Sequence, residues 1–293
     1  MSSVAYQSNE LPRMESGGRV LKILITADME GISGVTNWDQ VQPGHFEYPR
    51  YRKIMTEDVN AAVRGAFDGG AATVVVTDGH ASANNILIED LDRRARLNSG
   101  SGSPFAMVQG VNSGDFDGVI FVGYHARAGT ANGVLAHTWS SLRIAHVWLN
   151  DVLMGEYGLN AALCGHYGAA TLMITGDQTA CSQAAELLGD LETVEVKQAT
   201  GFQSAECLPP TIAQEMIQSA AQRAVQRLKN GQAPNIFKVA EPVRGRVVFR
   251  MVEMADSASR LPGAVRLDGT TIEFKAPDMP TAYTSFRAAV ALA

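Results

Sequence analysis

Four side chains that can bind a metal stand where apolar, strand-forming runs of the sequence end. Asp28 and Glu30 follow the run at residues 20–27, while His80 and His125 each follow a later run of the same kind. Carboxylates and imidazoles are common protein ligands of divalent transition metals. Because open α/β sheets place their chemistry at the carboxyl ends of parallel strands, we expect these side chains to meet in one pocket. The pattern therefore predicts a metal site, and with it a hydrolase.

Asp28 and Glu30 are two positions apart, so their side chains point to the same face of an extended chain. Two carboxylates held side by side repel each other, and a divalent cation relieves that repulsion. Glu156 is a fifth candidate ligand, although a glutamate near a helix start also interacts favourably with the helix dipole. Three histidines do not follow apolar runs and are predicted to be structural: His45, His146 and His166.

This candidate set is larger than an ordinary catalytic zinc site, which uses three protein ligands and a water molecule. Two imidazoles and three carboxylates suit two metal ions that share a bridging carboxylate and hold a hydroxide between them. Zinc is the predicted metal because it takes both kinds of ligand, with manganese and cobalt as alternatives. The sequence thus predicts two zinc ions per chain.

Two competing kinds of active site lack their sequence signals. The glycines of DMEGISG, at residues 28–34, follow a strand but do not have the GxGxxG spacing of a dinucleotide site. The acidic pair in this segment would also repel a pyrophosphate. No GxSxG nucleophile elbow occurs, which argues against a serine hydrolase.

The composition is that of a globular protein whose main partner is neither nucleic acid nor a membrane. The 293 residues are 46% hydrophobic and 18% charged, with a formal net charge of -6 and no long acidic run. No stretch approaches the roughly 18 apolar residues of a membrane helix, and no export signal is visible. Three cysteines without CxxC spacing suit a reducing compartment, so the predicted location is cytoplasmic.

The order of the apolar runs predicts an α/β fold. Strands are expected at residues 20–27, 72–77, 118–123 and 170–175, and helices at residues 50–68, 158–167 and 179–188. Strands that alternate with helices form a largely parallel sheet with helices on both faces, which makes three layers. A hairpin is expected around Asn150 and Asp151.

The pattern changes after about residue 208, and we predict three regions. Residues 1–19 are expected to be a mobile tail, residues 20–208 the α/β metal-binding catalytic domain, and residues 209–293 a smaller α+β domain. In this last region, Pro210 and Pro280 each open a predicted helix, because proline is favoured at the first helical position.

Five short segments make the chain resemble the DppA-type D-aminopeptidases, a family of dinuclear zinc peptidases. The segments are DMEGISG (28–34), DGH (78–80), GYHARA (123–128), AHT (136–138) and GEYGLNA (155–161). They occur in the family's order with similar spacing, and the resemblance extends from about residue 20 to the C-terminus. Gly79 is a departure, since the family has a serine-like residue there.

The resemblance implies a role for each candidate ligand. Asp28 would bridge two zinc ions. Glu30 and His125 would bind one of these ions. His80 and Glu156 would bind the other.

The resemblance further implies that His137 is the catalytic histidine, a role that its place in a loop does not reveal. It implies an aminopeptidase that removes an N-terminal residue, a D-amino acid in the family, from short peptides. It also implies pentameric rings stacked as a decamer, whose enclosed chamber would restrict substrates to short peptides. Two alternatives stay open at this point: a metal-dependent amidase acting on non-peptide amides, and a peptide-binding protein that assists transport.

Overall fold

The structure is a computed structural model that describes residues 20–293, so the tail predicted over residues 1–19 lies outside the described part of the chain. In chain order, the strands are β1 (Leu21–Ala27), β2 (Ala71–Asp78), β3 (Arg96–Asn98), β4 (Gly118–Val122), β5 (Ile144–Leu149), β6 (Val152–Leu153), β7 (Ala170–Asp177), β8 (Glu192–Gly201), β9 (Ser204–Cys207), β10 (Val243–Phe249), β11 (Val265–Arg266) and β12 (Thr271–Ala276). The α-helices are α1 (Tyr48–Asp68), α2 (Glu156–His166), α3 (Gln178–Leu188), α4 (Pro210–Lys229), α5 (Val252–Ala258) and α6 (Met279–Leu292).

A seven-stranded sheet with the order β3-β2-β1-β4-β7-β8-β9 positions the candidate ligands. Neighbouring strands from β3 to β8 are parallel, and β9 pairs antiparallel with β8. In the middle of the sheet, Ile25 of β1 pairs with Val76 of β2 and Ile120 of β4. The prediction of a largely parallel α/β sheet is confirmed, and the parallel order brings the ends of β1, β2 and β4 to one edge.

Helices cover both faces of this sheet, which confirms the predicted three layers. On one face, Val59 of α1 and Ile217 of α4 are buried in the same apolar cluster as Ile25. On the other face, Leu163 of α2 is buried in the cluster that contains Leu24. Because both faces are covered, the central strands read as continuous apolar runs rather than alternating ones.

A second sheet has five antiparallel strands in the order β11-β12-β10-β5-β6. It packs against α5 and α6, and Val247 of β10 and Phe286 of α6 share one buried cluster with Leu24 of the large sheet. The hydrophobic core therefore continues from the large sheet into this smaller α+β unit.

Packing between elements does not follow the predicted boundary between residues 208 and 209. Helix α4 follows the boundary in sequence but packs on α1, whereas the hairpin β5–β6 precedes it and pairs with β10. Helix α4 packs on α1 because its apolar face has to be buried, and β5 pairs with β10 because its edge needs a partner. Neither requirement depends on proximity in the sequence. The division into residues 20–208 and 209–293 stays a prediction.

Most other predicted elements occur close to their expected bounds. The helix expected from residue 50 begins at Tyr48, and the expected hairpin turns at Asn150 and Asp151, which have φ angles of 46° and 68°. Strands β3, β8 and β9 and helix α5 were not predicted. No helix within residues 20–293 is long and apolar enough to cross a membrane.

Helices α1 and α4 approach closely because Gly65 of α1 has no side chain, and substitution of this glycine tests that contact. A methyl group at Gly65 would overlap the carbonyl oxygen of Gln218 and lie 2.8 Å from Cβ of Ala221. Helix propensity alone would favour alanine by about 1 kcal/mol, but overpacking costs about 1–3 kcal/mol. We expect Gly65→Ala to lower the free energy of unfolding by about 1–2 kcal/mol in urea titrations.

Lys53→Ala is the matched control, because Lys53 is an exposed residue of the same helix. This variant is expected to change the free energy of unfolding by less than about 0.5 kcal/mol. A Gly65→Ala protein more stable than the wild type would contradict the close packing of α1 and α4.

Candidate metal centre

The sequence-predicted ligands meet at the carboxyl edge of the large sheet. Asp28 and Glu30 follow β1, His80 follows β2, His125 follows β4, and Glu156 is the first residue of α2. All five side chains are buried, with exposed fractions of 2–8%. The structure thus places in one cluster residues that are up to 128 positions apart in the sequence, from 28 to 156.

Asp28 lies between the two histidines, with one carboxylate oxygen near each. Nδ1 of His80 is 3.2 Å from Oδ1 of Asp28 and 3.0 Å from Oε2 of Glu30. Nε2 of His125 is 3.3 Å from Oδ2 of Asp28 and 3.2 Å from Oε1 of Glu156. These shortest contacts group Glu30 with His80 and Glu156 with His125, which is the opposite of the pairing that the family resemblance implied.

Each histidine at the site uses its second ring nitrogen to donate a hydrogen bond to a backbone carbonyl. Nε2 of His80 lies 2.9 Å from the carbonyl oxygen of Val41, and Nδ1 of His125 lies 3.0 Å from that of Ala126. A carbonyl oxygen can only accept, so these nitrogens carry the protons. The nitrogens that face the carboxylates are therefore available as ligands, which is the usual arrangement of a metal-binding histidine.

The charges at the site favour a cation between the carboxylates. Burial alone would raise the pKa of Asp28, but the neighbouring His125 and His80 imidazole groups outweigh it and hold that pKa well below its usual range. Burial alone would lower the pKa values of both histidines. The carboxylates of Glu30 and Asp28 beside His80, and those of Glu156 and Asp28 beside His125, instead raise these pKa values well above the ordinary range. Positive charge is therefore strongly stabilised in this cluster.

Three buried ligand atoms have no hydrogen-bond partner among the described residues: Asp28 Oδ2, Glu30 Oε2 and His125 Nε2. Ligand atoms of Asp28, Glu30 and His125 lie within 4.8 Å of one another, as do those of His125, His137 and Glu156. Unpaired buried polar atoms are costly, and a coordinated cation would satisfy them. The residues present therefore fit a metal centre of imidazole and carboxylate ligands.

His137 reaches the same cluster from the long loop between β4 and β5. Its Nε2 is 3.9 Å from Oε1 of Glu30 and 3.7 Å from Oε1 of Glu156, and its ring stacks on His125 at a centroid distance of 4.0 Å. Its Nδ1 donates to the carbonyl oxygen of Leu135 at 2.8 Å, which leaves Nε2 free towards the site.

The backbone around His137 is held in an unusual conformation. Leu135 and Trp139 have φ angles of 50° and 64°, in the left-handed region that bulky residues rarely adopt. Strained residues of this kind cluster at functional sites. Residue patterns alone did not predict a role for His137, because no strand or helix pattern precedes it. The AHT motif, through the family resemblance, was the one sequence feature that indicated this residue.

The remaining histidines lie outside the cluster, in agreement with their predicted structural roles. His45 is 3.5 Å from the carboxylate of Asp39, and His166 is 3.1 Å from that of Glu241. His146 lies in β5 with its ring beside Trp148.

A cavity of about 370 Å³ opens at the metal cluster. The candidate ligands Asp28, Glu30, His80 and Glu156 line it together with His137, Trp139 and Arg287. Gly79 also lines the cavity, and a Cβ there would lie 2.9 Å from the carbonyl oxygen of Ala27. A side chain at this position would require the neighbouring backbone to shift.

A buried polar network supports the cluster from the interior. The hydroxyl groups of Thr26 and Tyr124 share a short hydrogen bond, and Nδ2 of Asn160 donates to the Tyr124 hydroxyl at 2.8 Å. The Tyr283 hydroxyl donates to Oδ1 of Asn160 at 2.8 Å. The network ties the end of β1 and the residue before His125 to α2 and α6, so it holds the elements that carry the ligands.

Lys197 holds the loop that carries Glu30, and sequence reasoning missed it. This fully buried side chain donates to the carbonyl oxygens of Glu30, Ile32 and Val35 at 2.7, 3.0 and 2.7 Å. Burial lowers the pKa of Lys197 to about 8. A single lysine in a strand gives no sequence signal of this role, because its partners lie more than 160 positions away.

The chain is similar to known peptidases along nearly its whole length. A family model described as D-aminopeptidase matches residues 21–288. A D-aminopeptidase of Bacillus subtilis (strain 168) is 37% identical over 264 residues, which cover 90% of this chain and 94% of that protein. A solved structure, the Zn-dependent D-aminopeptidase DppA from Bacillus subtilis, described as a self-compartmentalizing protease, matches with a TM-score of 0.89 at 35% identity. That match covers 93% of this chain and 97% of the other.

Replacing Lys197 tests whether it holds the loop of Glu30. Lys197→Met removes the donor to three buried carbonyl groups; that of Ile32 keeps the N–H of Val35, while those of Glu30 and Val35 lose their partner, at about 1–3 kcal/mol each. Removal of a buried charge offsets part of this cost. We expect the free energy of unfolding to fall by about 2–4 kcal/mol in urea titrations.

Lys275→Met is the matched control, since Lys275 is an exposed lysine of strand β12. It is expected to leave the stability nearly unchanged. Equal stabilities of the Lys197→Met protein and the wild type would show that the three hydrogen bonds do not hold the loop.

Proposed function

The chain belongs to the D-aminopeptidase family, and we propose that it is a zinc-dependent aminopeptidase that removes the N-terminal residue from short peptides. The observation that carries this proposal is the position of Asp28 between His80 and His125 at the floor of a cavity. One carboxylate with an oxygen towards each of two histidines is the geometry of a bridging ligand. The family does not favour the two alternatives, an amidase for non-peptide amides and a transport-accessory protein.

The shortest single contacts favour one division of the ligands between two zinc ions, while the group of Asp28, Glu30 and His125 keeps the pairing implied by the resemblance as the alternative. Asp28, Glu30 and His80 would hold one ion, while the second would be held by Asp28, His125 and Glu156. Imidazole with carboxylate suits zinc, and the matched solved structure is Zn-dependent. Manganese and cobalt accept the same ligand types and are the alternatives to test.

Bound zinc ions would supply a water molecule of lowered pKa and a positive charge that polarises the scissile carbonyl group. The protein's own contribution centres on His137. Its Nδ1 proton is committed to the carbonyl oxygen of Leu135, so Nε2 is the atom that accepts a proton and returns it to the leaving amine. The stacked ring of His125 and the edge of Trp38, at a centroid distance of 5.5 Å, hold the His137 ring in this orientation.

We also propose that the protein is cytoplasmic and assembles into a homo-oligomer. Three free cysteines, two of them buried, are consistent with a reducing compartment. The matched solved structure is described as self-compartmentalizing, which supports an assembly that encloses the cavity. The expected assembly is the decamer of two pentameric rings that the family resemblance implies.

Metal analysis tests both the zinc content and the division of the ligands. We expect about two zinc ions per chain in gently purified protein, and loss of D-Ala-D-Ala hydrolysis on chelation with recovery on adding zinc. In a double variant, Glu30→Gln with His80→Ala, one zinc ion should remain because both residues hold the same ion. His166→Ala is the control and should keep both.

Loss of both ions from this double variant would favour the pairing of Glu30 with His125 instead. Wild-type protein that binds no zinc and gains no activity on zinc addition would contradict the proposed function.

Substitution of His137 separates a proton-transfer role from a ligand role. Removal of a general acid or base slows turnover by about 10²- to 10⁴-fold. We therefore expect His137→Asn to lower kcat by that factor on D-Ala-D-Ala while both zinc ions stay bound. His166→Asn, outside the cluster, should keep wild-type kcat. Full turnover by the His137 variant would exclude the proton-transfer role, and loss of one zinc ion would make His137 a ligand.

A further inference from the structure

We infer that Arg287 binds the C-terminal carboxylate of the substrate, so that the cavity selects short peptides with a free carboxylate over the corresponding amides. This inference rests on the proposed aminopeptidase function and concerns the end of the cavity opposite to the reacting bond. Arg287 belongs to α6, far in sequence from every candidate metal ligand, and its side chain lines the cavity.

The charges of the cavity wall single out this arginine. Apart from the histidines, the ionisable residues of the wall are Asp28, Glu30, Asp78, Glu156 and Arg287. The three carboxylates of the candidate metal site face histidines, and Asp78 accepts hydrogen bonds from the backbone of Asn85 and Ile86. Arg287 is therefore the one permanently positive side chain among the described residues of this wall, and it can attract an anion. Within residues 20–293, no carboxylate forms an ion pair with Arg287.

The guanidinium group of Arg287 is oriented but not saturated. Nη1 donates a hydrogen bond to the carbonyl oxygen of Ser103, and Cζ lies 5.9 Å from the centre of the Trp139 ring. Among the described residues, no hydrogen-bond acceptor engages Nε or Nη2. This edge of the guanidinium is a planar pair of donors that matches the two oxygens of a carboxylate.

Trp139 sets the separation between Arg287 and the metal centre. The backbone N–H of Trp139 donates to Oε1 of Glu156 at 2.6 Å, while its ring contacts the guanidinium group. One tryptophan therefore spans the distance between a candidate metal ligand and the arginine. One extended residue, at most roughly 3.6 Å, separates the scissile carbonyl from the C-terminal carboxylate in a dipeptide, and two residues, at most roughly 7 Å, separate them in a tripeptide. A dipeptide or tripeptide held by its carboxylate at Arg287 would place its first peptide bond towards the metal centre.

The test compares a free acid with its amide. Steady-state kinetics on D-Ala-D-Ala and D-Ala-D-Ala-NH2 would be measured for the zinc-loaded wild type, Arg287→Lys and Arg287→Met. A charge-assisted hydrogen-bond pair is expected to favour the free acid by about 10- to 100-fold in kcat/KM in the wild type. This ratio should fall towards one in Arg287→Met, mainly through KM, and lie between these values in Arg287→Lys.

Arg223→Met is the matched control, because the Arg223 guanidinium pairs with Glu192 on the surface of α4, away from the cavity. It should keep the wild-type ratio. A purely structural role of Arg287, such as holding the loop at Ser103, would lower kcat/KM for both substrates in parallel and leave the ratio unchanged. That outcome would overturn the inference.

A binding measurement gives a readout that does not need turnover. Titration calorimetry with the reduced-bond dipeptide D-Ala-ψ[CH2NH]-D-Ala and its carboxamide should show tighter binding of the free acid to wild type and equal binding to Arg287→Met. Equal kcat/KM of the wild type for D-Ala-D-Ala and D-Ala-D-Ala-NH2 would overturn the carboxylate site while the aminopeptidase function stands. Failure to hydrolyse either substrate with two zinc ions bound would overturn both.

Discussion

Mutual repulsion among three buried carboxylates is the constraint on which the rest of the site depends. Asp28, Glu30 and Glu156 come from two different elements, and each is at most 5% exposed. Water cannot screen their charges there, so positive charge has to be held between them. His80 and His125 supply ligand nitrogens on either side of Asp28, and their outward nitrogens are tied to backbone carbonyls. The arrangement leaves a pocket of negative charge that suits divalent cations.

Holding these carboxylates together requires a rigid loop after β1. Gly31 passes so close to the backbone of Tyr124 that a side chain at this position would overlap the carbonyl oxygen. The backbone N–H of Ser33 donates to Asp58 of α1 at 2.9 Å, and Lys197 of β8 holds three further carbonyl groups of the loop. Asp58 is fully buried, and burial raises its pKa to about 6. The loop is thus fixed by the segment after β4, by helix α1 and by strand β8.

Helix α6 and the loop before β5 contribute to the outer wall of the site. Tyr283 reaches the network beneath the ligands, and Trp139 packs its ring edge-on against Tyr283 and Phe286 of α6. Arg287 of the same helix lies at the cavity rather than in the core. The smaller unit therefore contributes to the positions of both the metal centre and the residues that would contact the far end of a substrate. This coupling explains why one hydrophobic cluster joins the two sheets.

Local sequence patterns were enough to predict the central strands β1, β2, β4 and β7 of the large sheet, the two long helices α1 and α4, and the convergence of Asp28, Glu30, His80 and His125. These features depend on local patterns: apolar runs form buried strands, and the ends of parallel strands share one edge. For His137 the AHT motif was the one sequence signal, whereas the contacts of Lys197 and Arg287, and the carboxylate nearest to each site histidine, are visible only in the tertiary structure. His137 is positioned by a loop with left-handed residues, while Lys197 and Arg287 act on partners far away in the chain. Side-chain contacts of this kind follow from how layers pack against one another, and no local spacing encodes them.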